Sequence, residues 1–361
     1  MATSWADLPR DLLVSIADGQ SLRAYTRLRG VCAGWRSALV PPYPCLLFLD
    51  DSRRCSIFSL STQRSFHLNR ILYASVEGCG SVVGSGNGRL AVVVNSNGLM
   101  VKIFLLDPRG REAAKILCAP PAPKPSVYYW SVRKVVFAPD PDDGTVVAMC
   151  DCNRVAYTDT CRGRDMLWKT VNIIAGDEDC YLADLAFDAA PGGNGKVYCL
   201  DSAGGARVLS IPRRTQDEPS VGAAFPRPYG LASELNFTKY LFFCHDDLYQ
   251  LWQNNSATAD EIFVLRHDPA DRQGPCWDVV RDLGGCSVFV GKNSSPAVVR
   301  AGAIPGVRGD CVYWIDRQGN SMVCDVATGS SKPLVLPYGA CKVSCWYFGD
   351  DNMTSNNKRG H

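Results

Sequence analysis

Near the start of the chain, Pro9, Leu12, Leu13 and Ile16 recur at the i, i+3, i+4, i+7 spacing that gathers apolar side chains on one helical face. Asp7 stands where a cap is expected, Pro9 suits a first turn, and Gly19 ends the helix. A second run places Leu28, Val31, Cys32 and Trp35 at the same spacing, preceded by Leu22 and Tyr25 and interleaved with arginines 23, 27, 29 and 36. Pro41 and Pro42 close it, since neither continues a helix. The pattern predicts three short helices in about forty residues. A unit that small cannot bury all of its apolar surface alone, so part of it must face a partner or the following domain.

Beyond Pro44 the period shortens to β-type runs separated by Gly, Asp, Asn and Ser. One unit recurs: an apolar strand, a polar turn and a second strand, which reads as a β-hairpin. Leu47–Asp50 leads into Cys55–Thr62, Tyr313–Asp316 into Ser321–Thr328, and Tyr198–Asp201 into Val208–Ile211. Weaker copies end at Asn95, Asp151 and Asp246. The turn positions 50, 95, 151, 201, 246 and 316 are separated by 45, 56, 50, 45 and 70 residues. Roughly 40 to 50 residues is the period of a four-stranded propeller blade. The fold class expected is therefore mainly β: a three-helix head followed by a six- or seven-bladed β-propeller. Trp277–Val280 and Cys286–Val290, inside the longest interval, are the strands available to a seventh blade. The competing arrangement is a set of independent β-sandwich hairpins. The proline-bearing stretches Pro120–Pro125 and Pro212–Pro228 read as extended loops suited to recognition.

Composition narrows the function. In 361 residues, 46% are hydrophobic and 20% charged, enough apolar material for a core. Lys+Arg is 38 against Asp+Glu 36, and the net charge of +2 gives no general pull toward nucleic acid or an anionic membrane. The first forty residues contain five arginines and three aspartates, so the head carries that excess and the remainder is balanced. Recognition by a neutral domain rests on shape and local polar contacts more than on long-range steering. No apolar run reaches the ~18 residues of a membrane span, and no secretory leader is expected. Seventeen cysteines then read as reduced thiols in cytoplasm or nucleus, those in apolar runs acting as small core residues.

Candidate chemistry is sparse. Gly84, Gly86 and Gly88 mimic a nucleotide loop, but a phosphate cradle needs a following helix, and Leu90–Val94 is a strand; these are turn glycines. No nucleophile elbow appears, and four histidines leave few general bases. His245-Asp246-Asp247 has the appearance of a titratable cluster, but its place at a hairpin favours a solvated tip. Zinc sites read by short Cys spacing are not found, the nearest approach being Cys150-Asp-Cys152. Catalytic residues, cofactor and metal are therefore expected to be absent.

At the head, Trp5-Ala-Asp-Leu8-Pro9-Arg-Asp-Leu12-Leu13 followed by Arg29-Gly-Val31-Cys32-Ala-Gly-Trp35-Arg36-Ser37 resembles an F-box. Asp282–Gly291, Ala303–Gly306, Asp310–Trp314 and Asp325–Gly329 resemble the propeller of plant F-box proteins of the KIB type, as do Gly84–Ala91 and Leu105–Gly110. The resemblance implies residues 1–42 as an F-box and 43–349 as a KIB-type propeller, while the polar composition of 350–361 reads as a disordered tail. The resemblance further implies that Leu8, Pro9, Leu12, Leu13, Ile16, Val31, Cys32 and Trp35 supply or support a surface for a Skp-family adaptor, which links the chain to a cullin and a RING protein. One departure is Gln20, where many F-boxes carry a leucine. The implied function is a non-catalytic substrate receptor of an SCF-type ubiquitin ligase, its propeller recruiting a target protein. The rival is a propeller enzyme or small-ligand sensor whose helical head is only a cap.

Overall fold

The computed structural model describes residues 5–49, 55–67, 81–96, 100–109, 115–118, 120, 132–140, 143–150, 152–161, 167–174, 180–188, 195–212, 217–228, 237–254, 261–269, 276–291, 294–336 and 342–349. A 3-10 turn at Trp5–Asp7 precedes three helices, α1 (Arg10–Ala17), α2 (Leu22–Arg29) and α3 (Ala33–Ala38). Asp7 lies in that turn and does not cap α1, whose cap position is Pro9 without a side-chain acceptor. Gly19, with φ of 71°, ends the helix as its freedom at positive φ permits. The second apolar run is split: Ser21 caps α2 by accepting from the Ala24 amide, and Cys32 Sγ caps α3 by accepting from the Trp35 amide.

Twenty-five strands follow, forming six sheets among the described residues. The first sheet holds β1 (Cys45–Leu49), β2 (Cys55–Ser59) and β3 (Arg64–His67), the second β4 (Ser81–Gly86), β5 (Arg89–Ser96), β6 (Met100–Leu106) and β7 (Lys115–Cys118). The third is β8 (Val132–Phe137), β9 (Thr145–Cys150), β10 (Arg154–Asp159) and β11 (Lys169–Asn172); the fourth is β12 (Leu182–Phe187), β13 (Lys196–Asp201), β14 (Ala206–Ser210) and β15 (Ser220–Phe225). The fifth is β16 (Phe237–Cys244), β17 (Asp247–Asn254), β18 (Ile262–His267) and β19 (Trp277–Val279). The sixth is β20 (Cys286–Val290), β21 (Ala297–Arg300), β22 (Cys311–Ile315), β23 (Ser321–Asp325) and β24 (Ser331–Pro333). Strand β25 (Lys342–Tyr347) returns to pair with β1, so the first blade is completed by the last strand. Strands β4, β8, β12, β16 and β21 adjoin one another in that order, β20 beside β21 adjoins β25, and β25 adjoins β4, which closes the ring. This is a six-bladed propeller, an arrangement that leaves only short, protected sheet edges.

Two sequence expectations are corrected. The described residues form no seventh blade: Trp277–Val279 is the outer strand of blade five, while Cys286–Val290 joins blade six, parallel to β22. The uneven intervals arise because the turn at Asp246 joins the first two strands of blade five, whereas Asp201 joins the second and third of blade four. The stretch Pro212–Pro228 is also not all loop, since Ser220–Phe225 forms the outer strand of blade four against β14. Residues 121–131 and the tail 350–361 lie outside the described residues, as do Asp50 and Asp151.

The inner strands share an irregularity. In β4, β8 and β12 the ladder shifts by one residue at equivalent places, which puts Gly84, Lys134 and Asp184 in corresponding positions. A Cβ on Gly84 would collide with the Val135 carbonyl of the next blade, so only glycine fits there. Lys134 Nζ pairs with Asp184 Oδ1, both side chains buried, and Asp184 Oδ2 accepts from the Leu241 amide at 2.7 Å. One carboxylate thus ties blades three, four and five. Burial pushes the Asp184 carboxyl upward, opposed by Lys134 and by the Leu241 and Leu185 amides.

Candidate functional site

The helical head does not stand apart from the propeller. Leu13, Ala17, Leu22, Tyr25, Trp35 and Leu39 share a single apolar cluster with Leu47, Ile57 and Phe66 of blade one, Leu90 and Val92 of blade two, and Tyr347 of the closing strand. Polar contacts hold the head itself together. Tyr25 Oη donates to the Val40 carbonyl at 2.8 Å, buried Arg29 Nε to the Leu39 carbonyl at 3.0 Å, and Trp35 Nε1 to the Trp5 carbonyl at 3.0 Å. Beneath the head, Tyr347 Oη donates to the Gly88 carbonyl at 3.0 Å, and Tyr43 meets the Tyr347 ring edge-on at 5.7 Å. Nearby, Asp107 Oδ1 accepts from the Arg109 amide at 2.8 Å and from its Nε at 2.9 Å, which folds the Asp-Pro-Arg turn.

This packing divides the eight head positions expected from the sequence. Leu13 and Trp35, 2% and 7% exposed, belong to the shared core. Leu8 and Cys32 are half-buried against it. Pro9, Leu12, Ile16 and Val31 face outward, with Leu12 at 53%, Ile16 at 42% and Val31 at 58% exposed. Trp5, at 77%, joins them. Ten large apolar residues are strongly exposed among the described residues, and four of these, Trp5, Leu12, Ile16 and Val31, lie in the head. Exposed apolar side chains gathered on one small module mark a contact surface more than scattered ones do. Leu12 and Ile16 line up at i and i+4 on α1, continuing the row begun by Pro9 at its cap position, one row removed from inward-facing Leu13 and Ala17. Trp5 is not among the eight positions expected from sequence, although it opens the F-box-like motif; its backbone anchors to Trp35 while its ring stays in solvent.

The other candidates resolve more simply. Asn87 and Gly88, with φ of 49° and 67°, form the tight turn between β4 and β5, so the Gly84–Gly88 stretch is a hairpin. Asp325 accepts from the Thr328 amide at 3.1 Å and closes the turn that ends with Gly329 at φ 69°; this bond holds its carboxyl below the usual range. His245 and Asp246 occupy the β16–β17 turn with solvent-exposed side chains. The structure adds what short spacing in sequence could not show. Cys244, His245 and Cys286 offer ligand atoms that all lie within 4.8 Å of one another, the one such group of three among the described residues. Cys244, pushed up to about 12, and Cys286, also raised, are held as neutral thiols chiefly by burial.

No curated protein matches the chain. Among solved structures, the periplasmic gluconolactonase PpgL of Pseudomonas aeruginosa aligns at 14% identity and a TM-score of 0.42, covering 84% of this chain and 87% of its own. The β-propeller domain of Myceliophteria thermophila Cps50 (Swd1) aligns at 10% identity and 0.40, covering 80% and 78%. AofleA of Arthrobotrys oligospora, solved as a mutant with three arginines replaced by alanine, aligns at 12% and 0.39, covering 71% and 72%. Residues 14–330, reaching from inside α1 past the end of β23, match the family model of the KIB1-4 beta-propeller, and the chain belongs to that family.

Proposed function

We propose that this chain is a substrate-receptor subunit of an SCF-type cullin-RING ubiquitin ligase. The observation that carries the reading is the outward apolar set Trp5, Pro9, Leu12, Ile16 and Val31 on an F-box-like head whose other face is sealed into the propeller. Such a surface suits a Skp-family adaptor, because protein interfaces rest on a few buried apolar anchors worth ~2 kcal/mol or more each. Half-buried Leu8 and Cys32 border it, and buried Leu13 and Trp35 hold the helices in place behind it. Through the adaptor the chain joins a cullin and a RING protein, and it acts in cytoplasm or nucleus without a catalytic cofactor.

The joint between head and blade one gives this reading its mechanics. Strand β1 leaves the head at Cys45, so its last residue, Leu49, paired with Cys55 of β2, marks the other end of blade one. Hairpins in the same position on the other blades, such as the Asp201–Gly205 and Asp316–Asn320 turns, surround that far face. A target protein bound there is held at a fixed orientation to the adaptor. The chain then contributes no acid, base or nucleophile. It raises the effective concentration of target lysines near the conjugating enzyme.

The test is proximity labelling in cells under proteasome inhibition, comparing wild type with Leu12→Asp/Ile16→Asp. The wild type is expected to recover adaptor, cullin and ubiquitinated targets, and the variant the targets alone. Equal recovery of adaptor and cullin by both would remove the proposal. Leu13→Asp is unsuitable because it inserts a charge into the core shared with the propeller.

A further inference from the structure

Cys244 ends the inner strand of blade five, His245 begins its turn, and Cys286 opens the first strand of blade six, 41 residues beyond His245. We propose that these three side chains form a zinc site that joins blade five to blade six. His245 Nδ1 lies 3.5 Å from Cys244 Sγ, and its Nε2 lies 3.5 Å from Cys286 Sγ. Tetrahedral zinc, with Zn–S near 2.3 Å and Zn–N near 2.0–2.1 Å, places its ligand atoms about 3.5–3.8 Å apart. Each separation taken alone matches one ligand-to-ligand edge of such a shell, Nδ1 with Cys244 and Nε2 with Cys286. The imidazole sits between the sulfurs with one nitrogen toward each, so a turn of this exposed ring that points one nitrogen at both sulfurs completes a site for one ion. Two thiolates and an imidazole favour zinc over calcium, magnesium or manganese, which prefer oxygen. The solvent side of His245 leaves a fourth position for water.

The backbone around the cluster is built to hold it. Among the described residues six non-glycine residues have positive φ, and three of them, His245 (50°), Asp246 (68°) and Asp310 (53°), are here, beside Gly284 (62°) and Gly285 (76°). Left-handed conformations are costly and collect at ligand clamps. Asp310 Oδ1 accepts from the Leu283 amide at 2.6 Å and the Gly285 amide at 3.0 Å, which fixes the turn leading into Cys286. A Cβ on Gly284 would stand 2.9 Å from His245 Cε1, so glycine lets the ring approach. Buried thiol protons leave to solvent when the metal binds, and the ion then supplies the charge balance.

The experiment uses the full chain, purified under reducing conditions, with zinc ion alone and with cobalt ion as a spectroscopic probe. Expected are one zinc per chain, a thiolate-to-cobalt charge-transfer band, and a rise in Tm with zinc that chelator reverses. His245→Ala, at an exposed position that leaves the core intact, is expected to weaken zinc affinity at least ~10-fold and remove the Tm response. Cys286→Ala is expected to abolish the cobalt band. A wild-type chain without that band overturns the proposal, as does zinc uptake unchanged in His245→Ala or recovery of Cys244 and Cys286 as a disulfide.

Discussion

Replacing Asp184 by alanine tests whether the inner ring is held by its buried ion pair. Lys134 and Asp184 are 3% and 1% exposed, so neither charge has water to fall back on. Removing the carboxylate leaves the Lys134 ammonium uncompensated, which typically costs ~3–5 kcal/mol. It also strips the Leu241 amide of its acceptor, a loss of ~1–3 kcal/mol that overlaps the first because both arise from one site. A net loss of about 3–5 kcal/mol is a large share of the ~5–15 kcal/mol that stabilises a typical fold. At roughly 2 °C per kcal/mol for a chain of this size, Tm should fall by about 6–10 °C. Urea unfolding followed by tryptophan fluorescence and by far-UV circular dichroism measures the same change. Lys134→Met/Asp184→Leu, which removes both charges, should regain most of the loss. A single-variant loss under ~1 kcal/mol would refute the reasoning, and so would a double variant no more stable than Asp184→Ala.

Three further outcomes follow from the same geometry. Leu13→Ala should cost ~2–5 kcal/mol by opening a cavity between head and propeller, whereas exposed Leu12→Ala should stay within ~0.5 kcal/mol; denaturant titration of the pair shows whether the head is part of the cooperative unit. Burial lowers the His267 pKa, with Asp268 and Asp247 opposing, so the unfolded chain takes up that proton first. Stability from this residue is present above the unfolded value near 6.5 and is lost as pH falls through it, and His267→Gln should flatten the stability curve between about pH 7.5 and 5. Truncation after Pro333 removes β25, including buried Trp346 and Tyr347, and should abolish the single cooperative transition seen in differential scanning calorimetry.

Much of the architecture is legible in local chemistry. Apolar strand, polar turn and second strand recur because every blade must solve the same packing problem, and a reader of sequence can count the turns. The Asp246 turn misleads because β16 and β17, eight residues each, copy the apolar-to-polar switch one hairpin early. Strand β15 stays hidden because Gly222, Ala223 and Ala224 lack the bulky branched side chains that announce a strand, and prolines flank the segment. The apolar stripe of the head is visible as one helical face, but periodicity cannot say that Leu13 turns to the propeller while Leu12 turns to solvent. That division depends on where blade one sits. The meeting of His245 with Cys286 is hidden for a similar reason, since two blades packed side by side bring together residues that no short spacing links.

The proposed receptor role rests on adaptor docking by the exposed row of α1. Isothermal titration of the full chain with a purified Skp-family adaptor, for wild type and for Leu12→Asp/Ile16→Asp, measures it directly. With two anchors worth ~2 kcal/mol each, the account predicts clear binding by the wild type and affinity lower by about 10²–10³-fold in the variant, with Tm unchanged. No binding by the wild type, or equal affinity in both, would contradict it.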